Sequence, residues 1–322
     1  MSDWRRDDAW PDVDVVMPVL NEADHLETAV GSIRAQAYAG TLRIFLGVGP
    51  STDGTEVIAA RLAADSDDVV VVPNPSGRTP AALNRAIECG AAPVVVRVDG
   101  HSELSAGYVR RAVSLLRTTG AANVGGLQRP TPTTPFEEAV ADATTSWLGT
   151  GGASYRTGAD AGPVDTVYLG VFDRAAIEAV GLFDERLIRN QDYELNIRLR
   201  ESGQEVWFDP TLSVGYRPRP TWRRFARQYF EYGWWKAVVL RKHPGSLKLR
   251  QFVPPVAIGA VVASSFVGLR WRPALAVPVA YLATVVAASG RRPRTAVALV
   301  TLHGAWSLGI AASFMRRPAP PT

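Results

Sequence analysis

The sequence predicts an α/β fold, a parallel sheet with helices on both faces, followed by a basic aromatic helix and an apolar C-terminal region suited to a membrane. Three observations carry this. Four apolar, β-branched runs in the first third of the chain are each followed by a segment of helical spacing. The polar clusters fall in the loops just after those runs, where α/β sheets collect their ligands. Beyond residue 250 come three apolar stretches that hold no acidic residue.

In order, the runs are residues 13–20, 42–48, 69–73 and 94–98, and the helical segments are residues 23–36, 54–64, 80–90 and 105–118. Between residues 129 and 163 the chain turns rich in Pro, Thr and Gly (RPTPTTP, GTGGASYRTGADAGP). That composition predicts mobile loops, either a lid that orders over a ligand or a plain surface connection. A small helix near residues 174–180 and a helix opening at QDYELNIRLRESG follow.

With 322 residues and 47% hydrophobic content, the chain can build a sizeable core and leave apolar sequence over. The single cysteine, Cys89, rules out an internal disulfide and fits a reducing compartment. The formal charge of +4 is mild, and the arginines gather after residue 215 instead of forming one stripe. This argues against nucleic acid as a partner and for contact with anionic membrane lipids. The N-terminal MSDWRRDDAWPD lacks the apolar region of a signal peptide.

Three loops stand out. MPVLNEADHL places Pro18, Asn21 and Glu22 ahead of a helix, GPSTDGTEVI places Asp53 and Gly54 at a helix start, and VVVRVDGHS ends a strand on Asp99, Gly100 and His101. Singly, each also reads as ordinary structure: Asn21 or Asp24 as a helix cap, Ser51 to Thr55 as an N-terminal turn, Asp99 as a turn acid. Three such loops on one sheet edge shift the balance toward a ligand site.

The ordered set of PVLNE, STDGT, a strand ending in a DxD-like triplet, and an acid in RNQDYELNIRLRESG is similar to the family 2 glycosyltransferases of the GT-A fold. RVDGHS in place of a strict DxD, together with RNQDYELN, resembles the succinoglycan-biosynthesis (ExoA-like), membrane-associated branch. The resemblance covers residues 12 to 235 and implies inverting transfer of a sugar from a nucleotide diphosphate donor to a hydroxyl acceptor.

It also implies roles. A divalent metal, Mn2+ or Mg2+, is expected on Asp99, because hard oxygen ligands let a cation stabilise the charge of the leaving diphosphate. His101 stands where the family usually has another Asp; it is either a second, softer ligand that suits manganese or a direct hydrogen-bond partner of phosphate or sugar. Asp192 matches the family's catalytic base, which takes the proton of the attacking hydroxyl. Gln191 occupies a position where the family often has Glu, and Glu194 is the fallback base. A surface helix whose dipole favours Asp192 at its start is the structural alternative.

By the same resemblance Pro18, Asn21 and Glu22 lie along the nucleoside and Asp53 helps shape that pocket, with Val48, Gly49 and Pro50 in place of the aspartates that often pair with the base. Arg78, at a helix N-terminus, and Asn84, further along that helix, form a reasonable diphosphate cradle; a solvent-exposed Arg78 is the alternative. Gly170 would leave room beside the sugar.

From residue 221, TWRRFARQYFEYGWWKAVVLRK interleaves Trp222, Phe225, Tyr229, Phe230, Trp234 and Trp235 with basic residues, as an interfacial helix with its rings at headgroup depth does. The QxxRW motif of processive membrane synthases is absent, since Gln228 is followed by YFEY. The apolar stretches are residues 252–269, 274–290 and 295–315, separated by Arg270 and Arg272 and by Arg291, Arg292 and Arg294. Pro254 and Pro255 leave the first as either spanning or re-entrant. The basic residues at 241–250 and 291–294 agree with those ends being cytosolic.

The expected organisation is therefore a cytosolic GT-A domain over residues 1–220, an amphipathic interfacial helix and linker over 221–250, and about three transmembrane helices over 251–322. The expected protein is a multi-pass enzyme of the plasma (inner) membrane, with its catalytic domain in the cytoplasm, acting in cell-envelope polysaccharide or glycolipid synthesis. Its partners would be a nucleotide-diphosphate sugar donor, a lipid-linked or glycan acceptor and membrane lipids. A polyprenyl-phosphate sugar synthase and a non-catalytic nucleotide-binding membrane scaffold are the alternatives.

Overall fold

A computed structural model describes residues 4–316. In chain order the strands are β1 (Val13–Val19), β2 (Leu42–Val48), β3 (Val69–Pro73), β4 (Val94–Arg97), β5 (Glu103–Leu104), β6 (Asn123–Pro130), β7 (Gly162–Pro163), β8 (Tyr168–Asp173) and β9 (Val206–Tyr216). The helices are α1 (Leu26–Arg34), α2 (Thr55–Ala64), α3 (Thr79–Cys89), α4 (Tyr108–Thr119), α5 (Pro135–Thr145), α6 (Trp147–Thr150) and α7 (Ser154–Thr157). They continue with α8 (Arg174–Ala179), α9 (Gln191–Glu201), α10 (Trp222–Lys242), α11 (Leu249–Gly268), α12 (Ala276–Ala288) and α13 (Pro293–Met315). The chain divides into two compact units, one running up to Arg129 and resuming over Gly158–Tyr216, the other made of Pro130–Thr157 and the chain from Arg217 onward.

The first unit is built on one sheet in the order β3-β2-β1-β4-β8-β6-β9-β5, with β7 paired to β9. The four strands expected from the sequence pair in parallel, β1 lying between β2 (Val13 opposite Leu42) and β4 (Val13 opposite Val94). From β4 the sheet turns antiparallel through β8, a half that the strand-helix alternation did not predict.

Both faces of the parallel half are covered. Val13, Val15, Met17 and Val19 of β1 pack into one core with Leu26, Val30 and Ile33 of α1 and Tyr108, Val109 and Leu116 of α4. Val16 faces the other way, into a core with Phe45, Val95, Phe172, Leu83 and Ile87 of α3 and Leu195 and Leu199 of α9. Strands buried on both faces lose the polar alternation, hence the largely apolar, Val-rich runs. Each such side chain contributes about 1.5–3 kcal/mol on burial. A Cβ added at Gly47 would lie 2.8 Å from the Ala82 carbonyl oxygen, so the absence of a side chain there lets α3 sit close on the sheet.

At the start of β1 the buried carboxylate of Asp14 accepts from Arg174 Nη2 (2.7 Å) and the Ala92 amide (2.8 Å). Arg174 also donates to the carbonyls of Ala92 and Ile87, so its fork clamps the segment between α3 and β4. This polar clamp lies at the opposite end of β1 from the loop of Asn21 and Glu22.

In the second unit, α5, α10, α12 and α13 share a core of Val140, Ala143, Phe225, Tyr229, Val285, Ala298, Leu299 and Leu302. Two glycines set the approach of α10 to α13: a Cβ on Gly233 would fall 2.2 Å from the Trp306 carbonyl oxygen, and one on Gly309 would fall 2.1 Å from that of Phe230. Helix α10 is thus only partly the surface helix expected, because Phe225 and Tyr229 are consumed in packing while Trp222 stays exposed. Two helices, α11 with 20 residues and α13 with 23, are long and apolar enough to cross a membrane. Helix α11 runs straight through Pro254 and Pro255 and exposes Phe252, Val256, Val262 and Phe266. Of the three expected spans, the middle one forms a helix of only 13 residues, α12, preceded by a 3-10 turn over Arg272–Leu275.

The mobile loop expected over residues 129–163 is largely helical. Thr134 caps α5, its hydroxyl accepting from the Glu137 amide (3.2 Å), and Pro135 takes the first helical position, where its missing N–H costs nothing. Glu137 is fully buried and accepts from the amide (2.6 Å) and hydroxyl (2.8 Å) of Thr133 and from Arg217 (3.2 Å).

Candidate active site

The loops after β1, β2 and β4 meet at the carboxyl edge of the parallel strands. Pro18 lies opposite Gly47 in β1, past Val16, where the pairing of β1 with β4 ends, so its missing N–H leaves that ladder intact. Asn21 takes a left-handed conformation (φ 55°), tolerated by Asn better than by most residues. Its amide donates to Ser51 Oγ (3.1 Å) and its Oδ1 accepts from the Thr52 amide (2.9 Å). Glu22 N donates to Thr55 Oγ1 (2.9 Å) and Ala23 N to Asp53 Oδ2 (3.1 Å). Asp53 Oδ1 accepts from the hydroxyl of Thr55 (2.5 Å) and its amide (3.1 Å), and these bonds, the Thr55 hydroxyl first, hold its carboxyl below the usual range. Asn21 and Asp53 thus tie two loops into one rim.

Asp99 follows β4, and its carbonyl accepts from the Ser102 amide (2.9 Å) to close a turn. The turn lies against Glu22: a Cβ on Gly100 would approach Glu22 Cγ to 3.0 Å, and His101 Nδ1 bonds Glu22 Oε1 at 2.8 Å. A side chain in place of Gly100 would crowd Glu22. A carboxylate only accepts, so Nδ1 carries a proton in this bond; when the ring is neutral its lone pair is on Nε2, the arrangement of a metal-ligating imidazole backed by an acid. Burial of Asp99 opposes its ionisation, but Arg97, His101 and Arg189 outweigh it and hold the carboxyl below its ordinary value.

Arg97 ends β4 with its side chain 5% exposed. One guanidinium nitrogen, Nη2, donates to Asp99 Oδ1 (2.9 Å), and the other, Nη1, donates to Asp192 Oδ1 in the first turn of α9. Asp99 and Asp192, far apart in sequence, are therefore held by the two terminal nitrogens of one guanidinium.

Helix α9 is held from behind. Asn196, one turn after Asp192, accepts at Oδ1 from Asn123 Nδ2 (2.7 Å) and donates from Nδ2 to Thr166 Oγ1 (2.9 Å), all three buried. Gly170 serves this chain of amides: an added Cβ would lie 2.2 Å from Asn123 Oδ1 and 2.5 Å from Phe172 Cζ, so the space it leaves is filled from inside the protein and not by a sugar. Glu194, the fallback base, is fully buried and paired with Arg198 Nη2 (2.9 Å), which removes it from the cleft.

Arg78 precedes α3, half-buried, with no acidic partner among the described residues. Asn84 belongs to another task. Its Nδ2 donates to the Phe183 carbonyl (2.9 Å) and Glu185 Oε1 (3.0 Å), and its Oδ1 accepts from the Phe183 amide (3.0 Å). Both amide hydrogens being engaged, Asn84 anchors the loop before α9 and has no donor left for a phosphate, contrary to the cradle expected from the sequence.

Among the described residues no group of three or more His, Cys, Asp or Glu could enclose a cation. Asp99 and His101 form a partial set, one hard oxygen and one imidazole, that fits a divalent ion completing its shell with oxygens from outside the chain. Sequence reasoning missed Arg97, Asn123 and Asn196. The first had a visible signal, a lone charge inside the apolar run VVVRV; the amides had none.

A mixed sheet with a parallel half, loops gathered at its carboxyl edge, and acids at the ends of β4 and the start of α9 define a GT-A glycosyltransferase. The family described as "Glycosyl transferase family 2" matches residues 14–181, and the chain belongs to it. It is 35% identical over 309 residues to the succinoglycan biosynthesis protein ExoA of Rhizobium meliloti (strain 1021), with 92% of each chain covered. It is 22% identical over 239 residues, 71% of this chain and 74% of the other, to dolichyl N-acetyl-alpha-D-glucosaminyl phosphate 3-beta-D-2,3-diacetamido-2,3-dideoxy-beta-D-glucuronosyltransferase of Methanococcus voltae. Among solved structures, mannosyltransferase PcManGT from Pyrobaculum calidifontis, in complex with GDP-Man and Mn2+, shares the fold with a TM-score of 0.61, 19% identity and coverage of 95% of this chain and 88% of the other.

Proposed function

We propose that this glycosyltransferase transfers a sugar, with inversion, from a nucleotide diphosphate donor to a hydroxyl of a lipid-linked glycan, at the cytoplasmic face of the plasma membrane. The observation that carries the reading is the meeting of Asp99 and Asp192 on the one guanidinium of Arg97. Asp99 and His101 would hold a divalent cation, which when bound neutralises charge on the leaving diphosphate. Pro18, Asn21, Glu22 and Asp53 line the nucleoside side, and Arg78 at the start of α3 supplies a guanidinium toward the diphosphate. Asp192 takes the proton of the acceptor hydroxyl from the opposite side. The Mn2+ and GDP-Man of the PcManGT complex, and the dolichyl-linked acceptor in the name of the Methanococcus relative, support the choice of metal, donor and acceptor class.

Membrane anchoring is supported by α11 and α13, and the basic residues at 241–250 and 291–294 favour cytoplasmic ends there. The test is Asp192→Asn, with transfer followed from a panel of UDP- and GDP-sugars to lipid extracts in the presence of Mn2+. A hydroxyl acceptor requires the base, so activity should fall by a factor of about 10²–10⁴. Retention of most activity would mean an acceptor that arrives already ionised, as a polyprenyl phosphate does. Donor binding by the wild-type chain with no turnover would make the protein a scaffold.

A further inference from the structure

Arg174 and Arg198 divide their hydrogen bonds between acids and backbone carbonyls. Arg174 clamps those of Ala92 and Ile87, and Arg198 those of Val180 and Leu182. Arg97 is different. Among the described residues its hydrogen bonds run to Asp99 and Asp192, and its Nε is buried with no hydrogen-bond partner. A buried guanidinium with one N–H unsatisfied carries a cost, which its two carboxylate partners have to offset. It also stands where the flanking residues, Val94 to Val96 and Val98, are fully buried and apolar.

We infer that Arg97 is a positioning residue that couples the two halves of the reaction, setting the base Asp192 against the donor-side carboxylate Asp99. The inference rests on the glycosyl-transfer reading above. A guanidinium is planar and rigid, and its two terminal nitrogens fix two acceptors at once in a way that a point charge cannot. With Arg97 present, the two acids carry one internal cation between them and do not repel. Without it, Asp192 keeps its carboxylate but loses its bearing. Removing a cation from beside Asp99 has a second consequence, since Arg97 and a divalent ion would both draw on the same carboxylate charge.

Affinity and turnover should therefore move in opposite directions, which neither a misfolded variant nor a lost phosphate contact would produce. The experiment uses the full chain in detergent. Mn2+ binding is read by the electron paramagnetic resonance signal of the free ion, and kcat by release of nucleoside diphosphate from UDP- and GDP-sugars with membrane extract as acceptor. Arg97→Gln should bind Mn2+ about threefold tighter or more, because a like charge has gone, while kcat falls about tenfold or more with an unpinned base. Arg97→Lys keeps the charge but not the fork, so Mn2+ affinity should stay near wild type while kcat remains low. Unchanged kcat in Arg97→Gln, affinity and kcat falling together, or full recovery of kcat in Arg97→Lys would each overturn the coupling. Failure of the wild-type chain itself to bind Mn2+ would overturn the reading beneath it, and that result appears before any substitution is made.

Discussion

Glu22 and His101, which belong to different loops of the sheet edge, are joined by a 2.8 Å hydrogen bond between Oε1 and Nδ1. The bond engages Nδ1 and orients the plane of the imidazole. Such an acid behind a ligating histidine typically changes metal affinity about 10–100-fold. Glu22→Ala should accordingly raise the Mn2+ concentration needed for half-maximal donor turnover by about that factor, with a smaller change in kcat at saturating metal. A metal titration of the two proteins checks it, and equal midpoints would remove His101 from the metal.

The amide chain Asn123–Asn196–Thr166 orients the helix that carries Asp192. Asn196→Ala leaves the Asn123 amide and the Thr166 hydroxyl without their partner, at a cost of about 1–3 kcal/mol in stability. Chemical denaturation should show this loss. The same variant should lower kcat more than it raises the donor KM, because the defect lies in the direction of Asp192, the proposed base.

Gly90 and Gly31 make a matched pair. A Cβ on Gly90 would fall 2.2 Å from Asp14 Oδ2 and 3.1 Å from Arg174 Nη2, whereas one on Gly31, inside α1, would meet nothing within 4 Å. Gly90→Ala should strain the buried Asp14–Arg174 pair and lower the melting temperature. Gly31→Ala should raise stability by roughly 0.5–1 kcal/mol, the difference between Gly and Ala in a helix interior.

Asp209 tests electrostatics away from the cleft. Burial opposes its charge, but the hydroxyl and amide of Thr211 and the Arg111 guanidinium (3.1 Å) prevail, so its folded pKa lies below the ordinary value. The stabilisation it gives is fully present above the unfolded carboxylate pKa of about 4 and is lost as pH falls through the folded one. The stability gap between wild type and Asp209→Asn, measured by urea unfolding, should be constant at neutral pH and close as the solution is made more acidic than about pH 4.

Much of this arrangement was legible in the sequence, for identifiable reasons. Parallel strands covered on both faces leave runs such as VDVVMPV and VVVR that stand out against polar surroundings. The antiparallel half did not show, because β6 (NVGGLQRP) and β9 (VWFDPTLSVGY) carry Gly, Pro and polar residues that read as loop. The Pro- and Thr-rich composition of TPTTPFEE hides a helix start: Thr134 before Pro135 with Glu137 three places on is how a helix begins. In the site, loop residues such as Asn21, Asp53 and His101 were visible as types. Asn84 was misread because only its long-range partners, Phe183 and Glu185, reveal its work.

The path of the chain between its two units has a practical outcome. The polypeptide leaves the sheet-bearing unit at Pro130, returns at Gly158 and departs for good at Arg217. Helix α5 thus emerges from the ribosome well before α10 and α13, whose side chains complete the cluster around Val140 and Ala143. Cutting after Tyr216 to obtain a freely soluble enzyme would strand that helix with its apolar stripe bare, inviting aggregation. The two units are therefore not interchangeable cassettes, and a trimmed version would need α5 bridged by a short polar link or its stripe rewritten with charge.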